Sequence, residues 1–331
     1  MATQARAAQR KTRWSTPPPR PSPGTHAQPY RRRHPETTTL HRIVRENLET
    51  YLALANDSNP MGDGVPDHVE KEFRDYLKCG ILAHGFARAR CSGCGHEFLV
   101  GFSCRRRGCC PSCSTRHMAE TTAHLVDHVI PHVPVRQFVL SVPKRLRPFL
   151  HHRPRTATAV LHILFRALQA TLKEACPTAP ASASMGAVSF LQRFGSSLNT
   201  HFHFHLVVVD GLFEGIEDDT VQDPAHPEPS LRFHEATALT HELLESLQHT
   251  IRSRVLRHFR RHGLLESHDA QDMLGWDHGG GFSLDASVRI EATDRPGLER
   301  LIRYCARPPF ALERLHLVAG RSDQILYLLP K

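Results

Sequence analysis

Three histidines alternate with apolar residues in the segment Asn199-Thr-His-Phe-His-Phe-His-Leu-Val-Val-Val-Asp-Gly. In a β-strand, side chains two positions apart project from the same face, so His201, His203 and His205 share one face. Phe202 and Phe204 take the other face and anchor the strand in a core. Two parallel imidazoles can ligate one cation and leave positions open for a phosphate oxygen. The pattern favours a metal site at His203 and His205 over ordinary core or surface histidines.

A nucleophile for such a site has to come from elsewhere in the chain. Tyr304 lies in the segment Leu298-Glu-Arg-Leu-Ile-Arg-Tyr-Cys-Ala-Arg-Pro-Pro, which has helical periodicity. A phenol with the usual pKa of about 10 is a poor nucleophile unless cations or a polarised phosphate lie nearby. Arg300, Arg303 and Arg307 supply cations, and we interpret them also as DNA contacts. The alternative is that Tyr304 only packs, and Cys305 beside it has no identified base.

Two C-x-x-C pairs indicate a zinc site. Cys91 and Cys94 form the first pair and Cys110 and Cys113 the second, with fifteen residues between them. This spacing is typical of a zinc ribbon or knuckle. Four thiolates leave no open position for water, so the zinc is predicted to be structural.

The same segment contains more ligands than one zinc ion needs. A second metal ion is an alternative to free thiols and solvated imidazoles for Cys79, His84, His96 and Cys104. Cys109 is interpreted as a buried free thiol. Phosphate contact, or else a solvated basic rim, is predicted for Arg105, Arg106 and Arg107.

Composition favours a polyanionic partner and a cytoplasmic protein. The 331 residues include 42 Lys and Arg against 33 Asp and Glu, a net charge of +9. This balance attracts nucleic acid electrostatically. No membrane span or secretory signal is predicted. In the cytoplasm, the nine cysteines are better explained as metal ligands or thiols than as disulfides.

The periodicity divides the chain into three parts and predicts an α+β fold. Residues 1–37 form a basic, proline-rich arm that lacks the aliphatic residues needed to fold. Residues 38–130 combine helices with the zinc module, and residues 131–331 form the catalytic domain. Helices are predicted at 40–54, 66–77, 115–129, 156–175, 236–262 and 298–305. Strands are predicted at 136–142, 186–194 and 201–209, near Leu231, and from Ile325.

These motifs together resemble a known family. The segments SCRRRGCCPSC, RFGSSLNTHFHFHLVVVDG and RYCARPPFALERL, in this order, are similar to the HUH-type rolling-circle transposases of the insertion sequence 91 group and its common-region relatives. The resemblance spans about residues 40–331. It implies a zinc-binding module followed by an HUH endonuclease domain, whose central antiparallel sheet is flanked by helices.

The resemblance also implies a chemistry for named residues. His203 and His205 would hold magnesium or manganese, and Tyr304 would attack single-stranded DNA at transposon ends and target. The products would be a 5'-phosphotyrosine and a free 3'-hydroxyl. A second tyrosine, which some members have four residues earlier, is replaced here by Arg300, which indicates the single-tyrosine type. The resemblance does not fix the third metal ligand, for which Gln192 and Asn199 are candidates.

The chain ends sooner after the Arg-Pro-Pro segment than the family usually does, so a shortened C-terminus is expected. The sequence therefore keeps an alternative open, a non-catalytic DNA-binding remnant or regulator of the element. A metallohydrolase that does not use Tyr304 is disfavoured, because no acidic cluster or His-Glu-x-x-His run supplies further ligands or a base.

Overall fold

The computed structural model describes residues 31–57, 64–216, 230–237 and 239–329. Residues 1–30, which are most of the predicted arm, lie outside this range. Eight α-helices occur in the described residues: α1 (Thr39–Asp57), α2 (Asp67–Lys78), α3 (Pro111–His124), α4 (Arg147–His152), α5 (Pro154–Ala175), α6 (His241–Arg261), α7 (Ser267–Gly275) and α8 (Arg295–Cys305). The strands are β1 (Phe86–Arg90), β2 (Glu97–Gly101), β3 (Val135–Ser141), β4 (Ala187–Phe194), β5 (Thr200–Val209), β6 (Gly211–Ile216), β7 (Ser230–Glu235), β8 (Ser283–Asp285), β9 (Arg289–Ile290), β10 (Leu315–Val318) and β11 (Arg321–Tyr327).

The N-terminal module packs two helices against a cysteine-rich segment. The apolar face of α1 buries Val44, Leu48 and Leu52 in one cluster with Tyr76 of α2. Three buried cysteines, Cys79, Cys110 and Cys113, complete this cluster. The core of the module is therefore made partly of thiols, which suits a small unit with few large apolar side chains.

The C-terminal domain is built on an antiparallel sheet in the strand order β4-β5-β3-β8, with β9 also pairing with β3. Strand β5, which carries the three histidines, is flanked on both sides. His205 is opposite Val139 of β3 and Phe190 of β4. A central strand has all its backbone hydrogen bonds satisfied by two neighbours, so it holds its side chains in fixed positions.

Each face of the sheet is covered by helices. Phe202 and Phe204 are buried on one face, in the large cluster to which α5 and α6 contribute Leu168 and Phe259. The other face carries Val207 and packs against α8, including Ile302. The alternation of side chains along β5 thus places the phenylalanines in the main core and the histidines on the face that is covered by α8, the helix that contains Tyr304.

The α+β architecture with a helix-flanked central sheet agrees with the prediction from sequence. Helix α6 begins five residues later than predicted, at His241, where the Thr240 side chain accepts a hydrogen bond from the Leu243 N–H and caps the helix. The predicted helix at 115–129 ends as a π-helical turn over Leu125–Val129.

No helix among the described residues is long and apolar enough to cross a membrane.

Candidate active site

His203 and His205 lie next to each other on one face of β5. Both are buried, and their ring centroids are 4.9 Å apart. The His203 Nδ1 lies 2.7 Å from the His201 carbonyl oxygen. Because a carbonyl only accepts, Nδ1 carries the proton and Nε2 keeps its lone pair. The His205 Nε2 is buried without a hydrogen-bond partner among the described residues. Two imidazole lone pairs therefore fit a cation at this face.

The environment keeps these imidazoles neutral. Burial lowers the pKa of His205 to about 4, and the positive charge available on His203 and Arg307 acts in the same direction. Burial is also the main cause of the lowered pKa values of His201 and His203. The neutral form is the one that ligates metals, so the site is ready to bind at neutral pH.

Tyr304 lies directly beside this pair. Its ring centroid is 5.6 Å from that of His205, at an interplanar angle of 87°. Helix α8 begins at a capping bond from the Gly297 N–H to the Asp294 side chain and buries Leu298 and Ile302 against the sheet. Tyr304 is 46% exposed in the last turn. A partly exposed phenol next to the imidazoles is accessible to a substrate.

The three arginines predicted around Tyr304 have different positions. The Arg307 guanidinium carbon lies 4.4 Å from the centroid of the Tyr304 ring. Arg303 instead pairs with Glu299 at 2.8 Å, and Arg300 lies 4.0 Å from Asp294. Of the three, Arg307 is the cation placed to stabilise a developing phenolate.

The two candidates for a third metal ligand do not complete a site. Gln192 is opposite His203, but its Nε2 donates to the Cys305 carbonyl oxygen at 2.9 Å and to that of Tyr304 at 3.4 Å. It therefore fixes the end of the tyrosine helix. Asn199 is exposed in the turn before β5. Over the described ranges, no third histidine, cysteine or carboxylate forms a compact group with His203 and His205.

A second site is formed by four cysteines in the N-terminal module. The ligand atoms of Cys79, Cys104, Cys110 and Cys113 all lie within 4.8 Å of one another. Three of the sulfur–sulfur distances within this group are 3.6 to 3.7 Å. A tetrahedral zinc ion with Zn–S bonds of about 2.3 Å requires sulfurs about 3.8 Å apart. Hydrogen bonds, first that from Cys104, lower the pKa of Cys113 to about 6 and also lower that of Cys79, whereas the pKa values of Cys104 and Cys110 are raised. The four side chains fit structural zinc.

This grouping differs from the zinc ligands predicted from the C-x-x-C spacing. The second pair, Cys110 and Cys113, takes part, but Cys91 and Cys94 are exposed. They lie in the turn that joins β1 to β2, at the far end of the hairpin. The antiparallel pairing of β1 with β2 instead brings Cys104 close to Cys79. Gly101 makes this possible, since a Cβ there would lie 2.6 Å from the Gly80 carbonyl oxygen.

The proposed second metal group is not assembled either. Two of its members, Cys79 and Cys104, belong to the first cluster. The other two, His84 and His96, are exposed. The spacing did not predict this grouping, because Cys79 and Cys104 are brought together by the β1–β2 hairpin between them and not by a short motif.

A cleft of about 1710 Å³ runs between the two parts of the chain and reaches the end of α8. Its walls include basic residues of the N-terminal module (Arg107, Arg116), residues of β4 (Phe190, Gln192, Phe194) and residues after Tyr304 (Cys305, Arg307, Phe310). Of the other predicted phosphate contacts, Arg106 pairs with Asp75 at 2.6 Å. The backbone of Arg105 has a φ of 54°. Arg107 and Arg307 are thus the two predicted DNA contacts that face one common cleft.

One residue of the site was not found from sequence. Gln137 of β3 is buried, and its side chain contacts both His205 and Cys305. The available signal was a single amide at an inward position of the predicted strand RQFVLSV.

Comparison with protein families identifies both parts of the chain. A family model described as "Transposase zinc-binding domain" matches residues 43–142. A second family model, described as "Putative transposase", matches residues 186–329. The first match contains the four-cysteine cluster, and the second contains His203, His205 and Tyr304. Searches of curated proteins and of solved structures give no match to the chain.

Proposed function

Because this chain belongs to the insertion sequence 91 family of transposases with an N-terminal zinc-binding domain, we propose that it nicks and rejoins single-stranded DNA in rolling-circle transposition. DNA is the partner expected of a transposase. The observation that carries the proposal is the position of Tyr304, 5.6 Å in ring-centroid distance from His205, whose buried Nε2 has no hydrogen-bond partner among the described residues.

His203 and His205 would hold the catalytic cation. The His201 carbonyl fixes the orientation of the His203 ring, and the central position of β5 fixes both backbones. Magnesium or manganese bound to these imidazoles would supply Lewis-acid polarisation of a phosphate oxygen. The remaining ligands would come from water, the DNA phosphate or an amide, since no further charged ligand is grouped there in the described residues.

Tyr304 is the proposed nucleophile. Its Oη forms a bond to phosphorus and loses its proton, while the bond from phosphorus to the 3' oxygen breaks and that oxygen gains a proton. The products are a 5'-phosphotyrosine and a free 3'-hydroxyl. One phosphoester replaces another, so attack by a 3'-hydroxyl on the phosphotyrosine reverses the step and joins strands. Arg307, next to the ring, stabilises the phenolate as it forms.

The cleft is the proposed path of the DNA strand. Its volume exceeds the ~300–1,000 Å³ typical of small-ligand pockets, which suits a polymer. Arg107 and Arg116 on one wall would contact phosphates, and Phe194, which is 42% exposed, is available to stack on a base.

The test uses full-length protein, manganese or magnesium, and single-stranded oligonucleotides from the ends of the element. A 3'-labelled strand should yield a labelled protein adduct that survives denaturing electrophoresis. A 5'-labelled strand should yield only a shorter free fragment. Chelation before DNA is added should abolish both products.

Matched variants separate the proposed chemistry from folding defects. Tyr304→Phe and His203→Ala should bind the strand without forming an adduct. Tyr327→Phe is the control, because Tyr327 lines the cleft and its hydroxyl accepts a hydrogen bond from the Ala311 N–H at 3.3 Å. An adduct that persists in Tyr304→Phe and disappears in Tyr327→Phe would overturn the assignment. Binding without an adduct in the parent protein would indicate a DNA-binding remnant instead.

A further inference from the structure

Gln137 connects the histidine strand to the tyrosine helix. It is only 5% exposed, although it lies among apolar side chains of the cluster containing Val135, Val207 and Ile302. Its amide nitrogen lies 2.9 Å from the His205 Nδ1 and 3.3 Å from the Cys305 Sγ. A buried amide costs free energy unless it is hydrogen-bonded, so these two contacts explain why a polar residue occurs here.

The Nδ1 atoms of the two histidines each have one hydrogen-bond partner. In His203, a backbone carbonyl accepts the Nδ1 proton and leaves the Nε2 lone pair free. In His205, the Gln137 amide occupies the corresponding place. Rotating the side-chain amide of a glutamine by 180° exchanges its oxygen and its nitrogen and leaves the heavy-atom positions almost unchanged. Either atom can therefore face the neighbouring ring.

Only one of these two orientations gives His205 the same tautomer as His203. With Oε1 toward the ring, the Gln137 carbonyl accepts the His205 Nδ1–H and has a second lone pair for the Cys305 S–H. The His205 Nε2, which is buried without a partner within the described part of the chain, then offers a lone pair to a cation. With the amide nitrogen toward the ring, the proton moves to Nε2, where no described group accepts it.

We propose that Gln137 is a positioning residue, whose amide oxygen fixes the Nδ1–H tautomer of His205 and so directs both Nε2 atoms of the histidine pair to one divalent cation. The inference rests on the proposed function, because it concerns the same metal site. It also assigns Gln137 a second role. Cys305 directly follows Tyr304, so the amide that orients His205 also sets the distance between α8 and β5.

The test compares two substitutions of similar size in the full-length protein. Gln137→Met fills the same volume but accepts no strong hydrogen bond, whereas Gln137→Glu retains an acceptor. Manganese affinity is measured by the loss of the free-ion electron paramagnetic resonance signal. We expect Gln137→Met to bind manganese about 10- to 100-fold more weakly. Gln137→Glu should bind at least as tightly as the parent protein. Zinc content should be unchanged in both.

A second readout does not depend on metal. Nitrogen-15 spectra of histidine-labelled, metal-free protein report which ring nitrogen carries the proton. His205, assigned by its loss in His205→Gln, should be protonated at Nδ1 in the parent protein and in Gln137→Glu, and at Nε2 or at both in Gln137→Met.

The outcomes separate this inference from the proposed function. If Gln137→Met keeps the parent tautomer and manganese affinity, Gln137 does not position His205. If the parent protein binds no manganese while the tautomer changes as expected, the proposed metal chemistry fails but the positioning role stands. Equal loss of manganese binding in Gln137→Met and Gln137→Glu, with unchanged tautomers, would also overturn the inference.

Discussion

The ring of Tyr304 stands edge-on to the ring of His205, at 87°, with their centroids 5.6 Å apart. The two residues are about a hundred positions apart in the sequence, and they meet because α8 packs on the histidine face of the sheet. The proposed attack of Tyr304 on a phosphate next to a cation held by His203 and His205 depends on this contact. The same helix end is fixed by Gln192, which donates to the backbone carbonyls of Tyr304 and Cys305.

Arg307 should be important for nicking and Arg303 should not. The Arg307 guanidinium lies over the Tyr304 ring, whereas Arg303 pairs with Glu299 on the outer side of α8. We expect Arg307→Ala to slow adduct formation about 10-fold, which corresponds to about 1.4 kcal/mol of lost phenolate stabilisation. Arg303→Ala should change the rate less than about 2-fold, as expected for an exposed ion pair. Single-turnover rates with a 3'-labelled strand check this, and equal effects would count against the assigned role of Arg307.

Zinc retention should depend on Cys104 and not on Cys94. Cys104→Ser removes a ligand of the buried cluster, so we expect loss of the bound zinc and melting of the N-terminal module. Cys94→Ser changes an exposed turn and should leave zinc in the buried cluster. Zinc release measured with a chromogenic chelator, together with thermal melting, distinguishes the two. Zinc loss and melting in Cys94→Ser, with no effect of Cys104→Ser, would restore the ligand set expected from the spacing.

Local patterns predicted much of the fold and the histidine part of the site. The two-residue period of β5 and the four-residue period of α6 are set by which face is buried, so both are visible in the sequence. The short strands β8 and β9 and the hairpin of β1 with β2 carry no such period. They exist because backbone groups at the sheet edge and at the base of the hairpin need partners.

The zinc ligands show why spacing alone was insufficient. A C-x-x-C pair is a local motif, and Cys110 with Cys113 supplies two of the four clustered thiols. The other half, Cys79 with Cys104, is created by the close approach of Gly80 and Gly101, which no single-sequence rule detects. Gln137 was missed for a related reason, because its partners lie on two other elements.

Asp210 should stabilise the end of the histidine strand. It is 1% exposed and accepts hydrogen bonds from Arg136, at 2.9 Å, and from Arg289, at 2.6 Å. We expect Asp210→Ala to lower the free energy of unfolding by about 3 kcal/mol. This value is the lower end of the range for removing one partner of a buried ion pair, because both arginines keep some contact with solvent. Glu291→Ala removes an exposed partner of Arg289 and should lower the free energy of unfolding by less than about 1 kcal/mol. Urea denaturation measures both, and equal losses would mean that Asp210 has no special role.

Binding of single-stranded DNA should depend on salt through the arginines that face the cleft. Arg107 and Arg116 line it, whereas Arg106 is held by Asp75. Each phosphate contact on a single strand contributes about 0.7 to the slope of log affinity against log salt concentration. Arg107→Ala and Arg116→Ala should therefore each reduce the slope by about 0.7, and Arg106→Ala should leave it unchanged.

Fluorescence anisotropy with a labelled single strand, titrated at several salt concentrations, gives the slopes. The Tyr304→Phe protein serves as background, so that covalent capture does not distort the equilibrium. A slope that falls in Arg106→Ala but not in Arg107→Ala would place the strand outside the cleft.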